Sequence, residues 1–492
     1  MGPPFPRALF LFVWLQCSLF AHIAGTVMTD AILSTTVNVV DEGTMEVSPR
    51  AAFDLMVLEE RYYAGFGPGQ WMLAVPFYVA LRPALERLPG AEGTGFLGNP
   101  YSYERPKELP GKVLYLQVAL VWLFLGPLTG WFFARFHQSL ARRLPPWAAL
   151  AVTLACASGS VVTVFSCVYS KQWLATLLLG AVVLRHLDDE GPLAPRRALV
   201  SGLLAGLAVT VDYMAVFGAA LVAVWLLVRV RSVRALVPFA AGAGLFAVFL
   251  MAYHAWFLGS PFETPYDHRT WYEEEIPFRY RGRLWRTSEI LDKERVVGVN
   301  ALPSAEAVVG LSVSRFKGLF FFSSFLVLGL VGHAAGVLRG RGRATALLGL
   351  GTFGVYFWLN ASLNGEPYWS GWPPFFGPRY LLYTVPLLAL GVGGLDLRRR
   401  GWAVALGVTA AVSVGIHLVG LMYQDLNMWE RMDAPRVLDP VPGLLGRLFT
   451  EGPRIPLLAP GQPPSGPLHA VAVALFLVAL GLTVRATLRP RS

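Results

Sequence analysis

Residues 69–88 read GQWMLAVPFYVALRPALERL, and the placement of this stretch decides the topology of everything that follows it. It is apolar for only about twelve residues and then carries Arg82, Pro83, Glu86 and Arg87. A helix that crosses a bilayer needs about 20 mostly apolar residues. Other runs come closer to that need: 8–28, 113–135, 147–168, 172–186, 198–211, 213–229, 235–257, 318–338, 344–361, 379–396, 402–422 and 468–487. If 69–88 lies flat on the membrane and the N-terminus is inside, the loops 136–146, 187–197, 230–234, 339–343 and 397–401 all fall inside, with both termini. Counting span-end residues with the nearer side, these segments hold 19 Arg/Lys and 4 Asp/Glu, and the opposite side holds the remaining 22 basic and 27 acidic residues. That asymmetry satisfies the positive-inside rule, and a crossing at 69–88 would invert every later Arg cluster. The stretch is therefore expected to be an interfacial helix within a large first outer loop, 29–112.

The composition agrees. Of 492 residues, 55% are hydrophobic and only 15% charged, against about 25% charged in soluble domains. A disordered chain is excluded and a water-soluble enzyme disfavoured. The expected fold is an all-α polytopic membrane protein with about twelve transmembrane helices in the plasma membrane. Its non-membrane mass lies outside, in loops 29–112, 258–317 and 423–467. Residues 8–28 are read as an uncleaved first span, being long and lacking a small-x-small cleavage site. Residues 1–422 are expected to form the main transmembrane module, and 423–492 a Pro-rich outer loop and the last helix. The net charge of +10 sits in short Arg clusters such as Arg142–Arg143 and Arg398–Arg400, not in a phosphate-binding stripe, so nucleic acid is not an expected partner. Cys156 and Cys167, 11 apart on one run, stand roughly 16 Å apart along a helix, too far for a disulfide.

Just past the first span comes Thr29-Asp30, and an acid at the mouth of a membrane helix is costly without a role or a partner. It can be an interfacial N-cap or a functional group. Further on, Ser48-Pro49 signals a helix start, with the helix expected to run to about Glu60. Arg61-Tyr62-Tyr63 and the turn Gly65-Phe66-Gly67-Pro68-Gly69 follow.

These segments, together with Phe257-Leu258-Gly259-Ser260-Pro261, Gly318-Leu319-Phe320-Phe321-Phe322-Ser323 and Gly377-Pro378-Arg379-Tyr380-Leu381, resemble bacterial members of the GT-C superfamily. These are polyprenyl-phosphate-sugar-dependent glycosyltransferases related to protein mannosyltransferases and aminoarabinose transferases. The matches are short, ordered and on one side of the membrane. The resemblance implies an inverting transfer of a sugar from a polyprenyl-phosphate donor to an acceptor hydroxyl on the periplasmic or outer face. The acceptor would be a lipid, a glycan or a protein. It assigns the catalytic base to Asp30. Relatives often carry Lys before the Pro-Gly of the Tyr-Tyr segment; Phe66-Gly67 occupies that place here, so another cation must meet the phosphate.

Such a reaction needs a base near the acceptor hydroxyl, room for oxocarbenium character, and cations where the phosphate departs. Arg379, at the outer start of the tenth run, can grip a phosphate bidentately. Lys171, in the short turn Tyr169-Ser170-Lys171-Gln172, is the second lipid-phosphate candidate, against plain interfacial anchoring. Arg315 and Lys317 flank the eighth run and read as headgroup anchors. Asp212 interrupts the apolar stretch 198–229 and could orient sugar hydroxyls or pair with an Arg such as Arg379. Tyr266 and His268 are candidate cavity residues, and Trp369 and Trp372 could stack on a sugar face. No second and third carboxylate lie near Asp30 in sequence, so no metal or other cofactor is expected; a divalent cation stays possible but unsupported. The alternative is a twelve-span transporter or lipid flippase. Against it stand the large first outer loop and the lack of two similar halves.

Overall fold

The computed structural model describes residues 5–22, 27–49, 55–91, 109–188, 191, 193–268, 278–280, 283–285, 302–340, 342–363, 377–423, 440–451, 455 and 467–488. The chain is a helical integral membrane protein. Among the described residues, five helices are long and apolar enough to cross a bilayer: Gly111–Leu140, Arg234–Phe257, Arg343–Ala361, Arg400–Tyr423 and Val471–Leu488. Arg7–Leu19, Pro146–Ser158, Ala215–Val230 and Phe325–Arg339 are shorter apolar helices, so five spans are clear among the described residues where about twelve are expected. The first run, 8–28, is not one continuous helix: Arg7–Leu19 ends at Phe20, and a second helix spans Val27–Asp41. The tenth run opens as a 3₁₀ turn, Arg379–Thr384, continues as the helix Val385–Leu390 and closes as a second 3₁₀ turn, Gly391–Gly394.

Gly111–Leu140 contains a π-helical turn, Val121–Leu125, where the Gly126 N–H reaches back to Val121 O. Pro127 explains it. Its ring would clash with the carbonyl four residues back, and one widened turn relieves that.

Two glycine seams draw helices together. A Cβ on Gly202 would strike the carbonyl of Phe239, and one on Gly242 that of Leu199, so Pro195–Val211 and Val237–Phe257 touch backbone to backbone. Gly329 and Gly332 do the same against the carbonyls of Leu388 and Gly391. Small residues at such crossings are how membrane helices gain packing without a hydrophobic driving force. The last helix returns to the first: Phe476 packs its ring 5.3 Å from Phe12 and 5.5 Å from Phe20.

The first loop differs from expectation in one respect. Instead of a helix from Ser48 to Glu60, residues Leu55–Leu58 and Arg61–Ala64 form an antiparallel hairpin with Leu58 opposite Arg61. Glu59 and Glu60 turn it with φ of 49° and 65°, the double left-handed geometry that suits a two-residue hairpin. Val57, Tyr62 and Tyr63 favour strands, and the Val47 N–H donates to Tyr62 O at 2.8 Å, extending the ribbon. The Ser-Pro signal gave way to this pairing.

The decisive stretch is a helix, Gly69–Leu85, buried on one stripe at Gln70, Ala74, Tyr78 and Leu85. It is not among the five clear spans. Asp41, the last residue of the Val27–Asp41 helix, pins it. One carboxylate oxygen accepts from Tyr78 at 2.8 Å and from Lys112 at 2.8 Å, and Arg82 stands 3.2 Å from the other. Three helices therefore meet at a single acid. Burial acts to raise the Asp41 carboxyl, but the bonds from Lys112 and Tyr78 and the charges of Lys112 and Arg82 outweigh it and hold it below its ordinary 3.8.

Candidate active site

Asp30 is the fourth residue of the Val27–Asp41 helix, in its first turn, and is 1% exposed. It lies inside the helix rather than at the N-cap. A carboxylate there is favoured by the helix dipole. The neighbouring Thr29 hydroxyl reaches Tyr169 O at 3.3 Å. The same carbonyl accepts from Gln70 Nε2 at 2.6 Å, and the Tyr169 hydroxyl donates back to Gln70 O at 2.9 Å. The start of the acid-bearing helix, the start of the Gly69–Leu85 helix and the turn before Lys171 are thus one cluster.

Lys171 opens the Lys171–Leu187 helix and is buried. A cation at a helix N-terminus faces a dipole of its own sign. Asp212 caps the C-terminus of Pro195–Val211 and is equally misplaced by that rule. The two meet at 3.5 Å, each offsetting the cost of the other. Phe66 covers the ammonium, its ring 4.3 Å away. The glycines around Phe66 make this closure possible, since a Cβ on Gly67 or Gly69 would run into the Thr210 backbone at 2.5 Å and 2.7 Å. The cation of Asp212 is therefore Lys171 and not Arg379. Lys171 is thus buried and paired with Asp212, which a plain interfacial anchor would not be.

The other oxygen of Asp212 accepts from the Tyr383 hydroxyl at 2.8 Å. Tyr383 stacks on Tyr356 with ring centres 4.6 Å apart, and Tyr356 in turn donates to Met214 O and accepts from the Gly218 N–H. Arg379 begins the 3₁₀ turn that carries Tyr383. It is buried, donates to the Tyr380 hydroxyl at 2.9 Å and lies 4.7 Å from the centre of that ring.

Lys317 is the main residue whose setting the sequence misjudged. It is 0% exposed, its ammonium donates to Gly377 O at 3.4 Å, and it lies close enough to Arg379 to feel its charge. Burial, and then Arg379, hold its ammonium well below the 10.5 of a solvated lysine. An anchor in the headgroups would be exposed, as Arg315 is. The only available signal was its place directly before an apolar run.

Tyr266 packs against Tyr213, ring centres 5.9 Å apart, beside Asp212. His268 pairs with Glu263 at 3.0 Å in its own loop. Trp369 and Trp372 lie outside the described residues. Among the described residues, no group of three His, Cys, Asp or Glu side chains comes together.

The arrangement is a buried, mixed-charge site. A carboxylate stands at the start of one helix, and a lysine–aspartate–tyrosine chain and a pair of adjacent cations come from remote parts of the sequence. No family model and no curated protein matches the chain. Among solved structures it is similar over 98% of its length to ArnT from Cupriavidus metallidurans. One is the structure bound to undecaprenyl phosphate, with 12% identity, 76% of that chain covered and a TM-score of 0.47. The other is the apo state, with 14% identity, 75% covered and a TM-score of 0.47.

Proposed function

We propose that the chain is an inverting membrane glycosyltransferase that moves a sugar from a polyprenyl-phosphate donor to an acceptor hydroxyl on the outer face of the membrane. What carries the reading is the convergence of the first-loop segment bearing Asp30 with Lys171, Asp212 and the Arg379–Thr384 turn. The GT-C-like segments of the sequence support it, as does the positive-inside arithmetic, which puts the mouth of this site on the outer side of a chain of about twelve spans.

In this reading the Asp30 carboxylate takes the proton of the acceptor hydroxyl as that oxygen bonds to the anomeric carbon. The bond from carbon to phosphate oxygen breaks, its electron pair stays with the phosphate, and polyprenyl phosphate leaves. Arg379, with Lys317 beside it and Lys171 held by Asp212, supplies positive charge where the leaving group gains negative charge. Asp212, Tyr266, His268 and Trp372 are carried as sugar-side residues. The chemistry needs one carboxylate and no redox group, so no cofactor is assigned.

The test is transfer of radiolabelled sugar from polyprenyl-phosphate-linked donors to membrane acceptors, comparing the wild type with Asp30→Asn. Loss of transfer with normal membrane insertion is expected. Label that moves across sealed vesicles without changing its carrier would instead select the transporter.

A further inference from the structure

We infer that Asn360 reads the sugar of the donor: the antiparallel packing of its helix against the Arg379 segment brings it to the level of Arg379, and neither polar end of its buried amide is hydrogen-bonded among the described residues. The inference rests on the transferase reading and assigns a specificity residue to that site.

The placement follows from three contacts. His333 lies against Gly349 and bonds to Leu387 O at 2.8 Å. Tyr356 stacks on Tyr383. Numbers rising along Arg343–Ala361 therefore meet numbers falling along 379–391, so the two segments run antiparallel. Asn360 is four residues beyond Tyr356, on the same helix face, and about 6 Å further along the axis. At about 2 Å per residue, a 3₁₀ turn covers that distance in three residues. Three residues back from Tyr383 is Tyr380, next to Arg379.

The two turns of that face are satisfied differently. The Tyr356 hydroxyl uses both its donor and its acceptor capacity. Asn360 is 3% exposed, and neither Nδ2 nor Oδ1 has a hydrogen-bond partner among the described residues. A buried amide left unmet is costly, and native structures rarely keep one without a reason. The missing partner has a definite chemistry. An amide offers two donors and an acceptor. A phosphate oxygen can only accept, so it could serve Nδ2 and would leave Oδ1 unmet. A hydroxyl both donates and accepts, and a pair of neighbouring hydroxyls meets both ends at once. A sugar ring next to a phosphate held by Arg379 presents such a pair.

The experiment measures binding of undecaprenyl phosphate, and of undecaprenyl phosphate carrying a series of single hexoses and pentoses, to the full chain in lipid nanodiscs. It compares the wild type with the near-isosteric Asn360→Leu and with Asn360→Ser. The expected result is that at least one glycosylated lipid outcompetes the bare lipid on the wild type. That preference should shrink about tenfold in Asn360→Leu, with affinity for the bare lipid unchanged. The melting temperature of Asn360→Leu should not fall, because no hydrogen bond is lost. An unchanged preference in both variants would overturn the assignment, and so would a marked fall in melting temperature, which would mark the amide as a structural group. Failure of the wild type to bind any of these lipids would sink the transferase reading itself, and this inference with it.

Discussion

The Val27–Asp41 helix carries an acid near each end, eleven residues apart, and the two ends are built for different ends of the energy scale. At Asp41 a carboxylate gathers Tyr78, Lys112 and Arg82 and fixes three helices together. At Asp30 the carboxylate is more deeply buried and stands among elements that also carry Lys171, Asp212 and the Arg379 turn. The first end converts charge into architecture. The second sets its acid in a low-dielectric setting, where a charge acts strongly on anything brought close. Two acids on one helix can thus be told apart by what they hold in place.

The sharpest way to break this contrast is a pair of Asn substitutions. Asp30→Asn should cut transfer by about 10²–10⁴-fold, the usual contribution of a general base, and leave the melting temperature near that of the wild type. If instead it lowers the melting temperature and spares turnover per folded molecule, the two ends have been misassigned. Next in size is the phosphate side. Arg379→Met and Lys317→Met should each weaken binding of undecaprenyl phosphate about 10–100-fold, the worth of a charge-assisted hydrogen bond. Binding isotherms in nanodiscs would report it, and equal affinity in both variants would remove the cation pair from the site.

Asp41→Asn is expected to lower stability by about 2 kcal/mol, as removal of one partner from a partly buried ion cluster does, without a matching loss of turnover per folded molecule. Its pH dependence has a definite sign. The Asp41 carboxyl is held below 3.8 in the folded chain, so its contribution is present above that value and is lost as pH falls through the lowered folded one. Thermal scans below pH 4 should show a steeper decline in the wild type than in Asp41→Asn. Smaller still is an alkaline effect. Lys317 loses its proton below the 10.5 of a free lysine, so affinity for undecaprenyl phosphate should fall before that pH, and Lys317→Arg should push the fall upward. A chelator is expected to leave transfer unchanged.

The membrane fold was legible because hydropathy and Arg placement act locally along the chain. Asp30, Lys171, Asp212 and Arg379 were singled out because each interrupts or borders an apolar run. Their pairing was not legible. Asp212 finds Lys171 rather than Arg379 through the packing of two helix ends, which no spacing encodes. Lys317 read as an anchor because burial is a property of the assembled bundle. Ser48-Pro49 carried a true helix-start signal that cross-strand pairing of Val57 with Tyr62 overrode. Asn360 gave no signal at all, since an Asn near a helix end is commonplace until its neighbours are known.

The glycine seams bear on how such a machine lives in membranes of unequal thickness. Where Gly202 meets Phe239 and Gly329 meets Leu388, main chains interlock like gear teeth, and sliding one rod past the next would lift them out of mesh. A thinner or thicker bilayer is then answered by leaning the whole assembly, as hydrophobic mismatch allows. The spacing among its charged groups should survive a change of lipid that would shear a looser bundle.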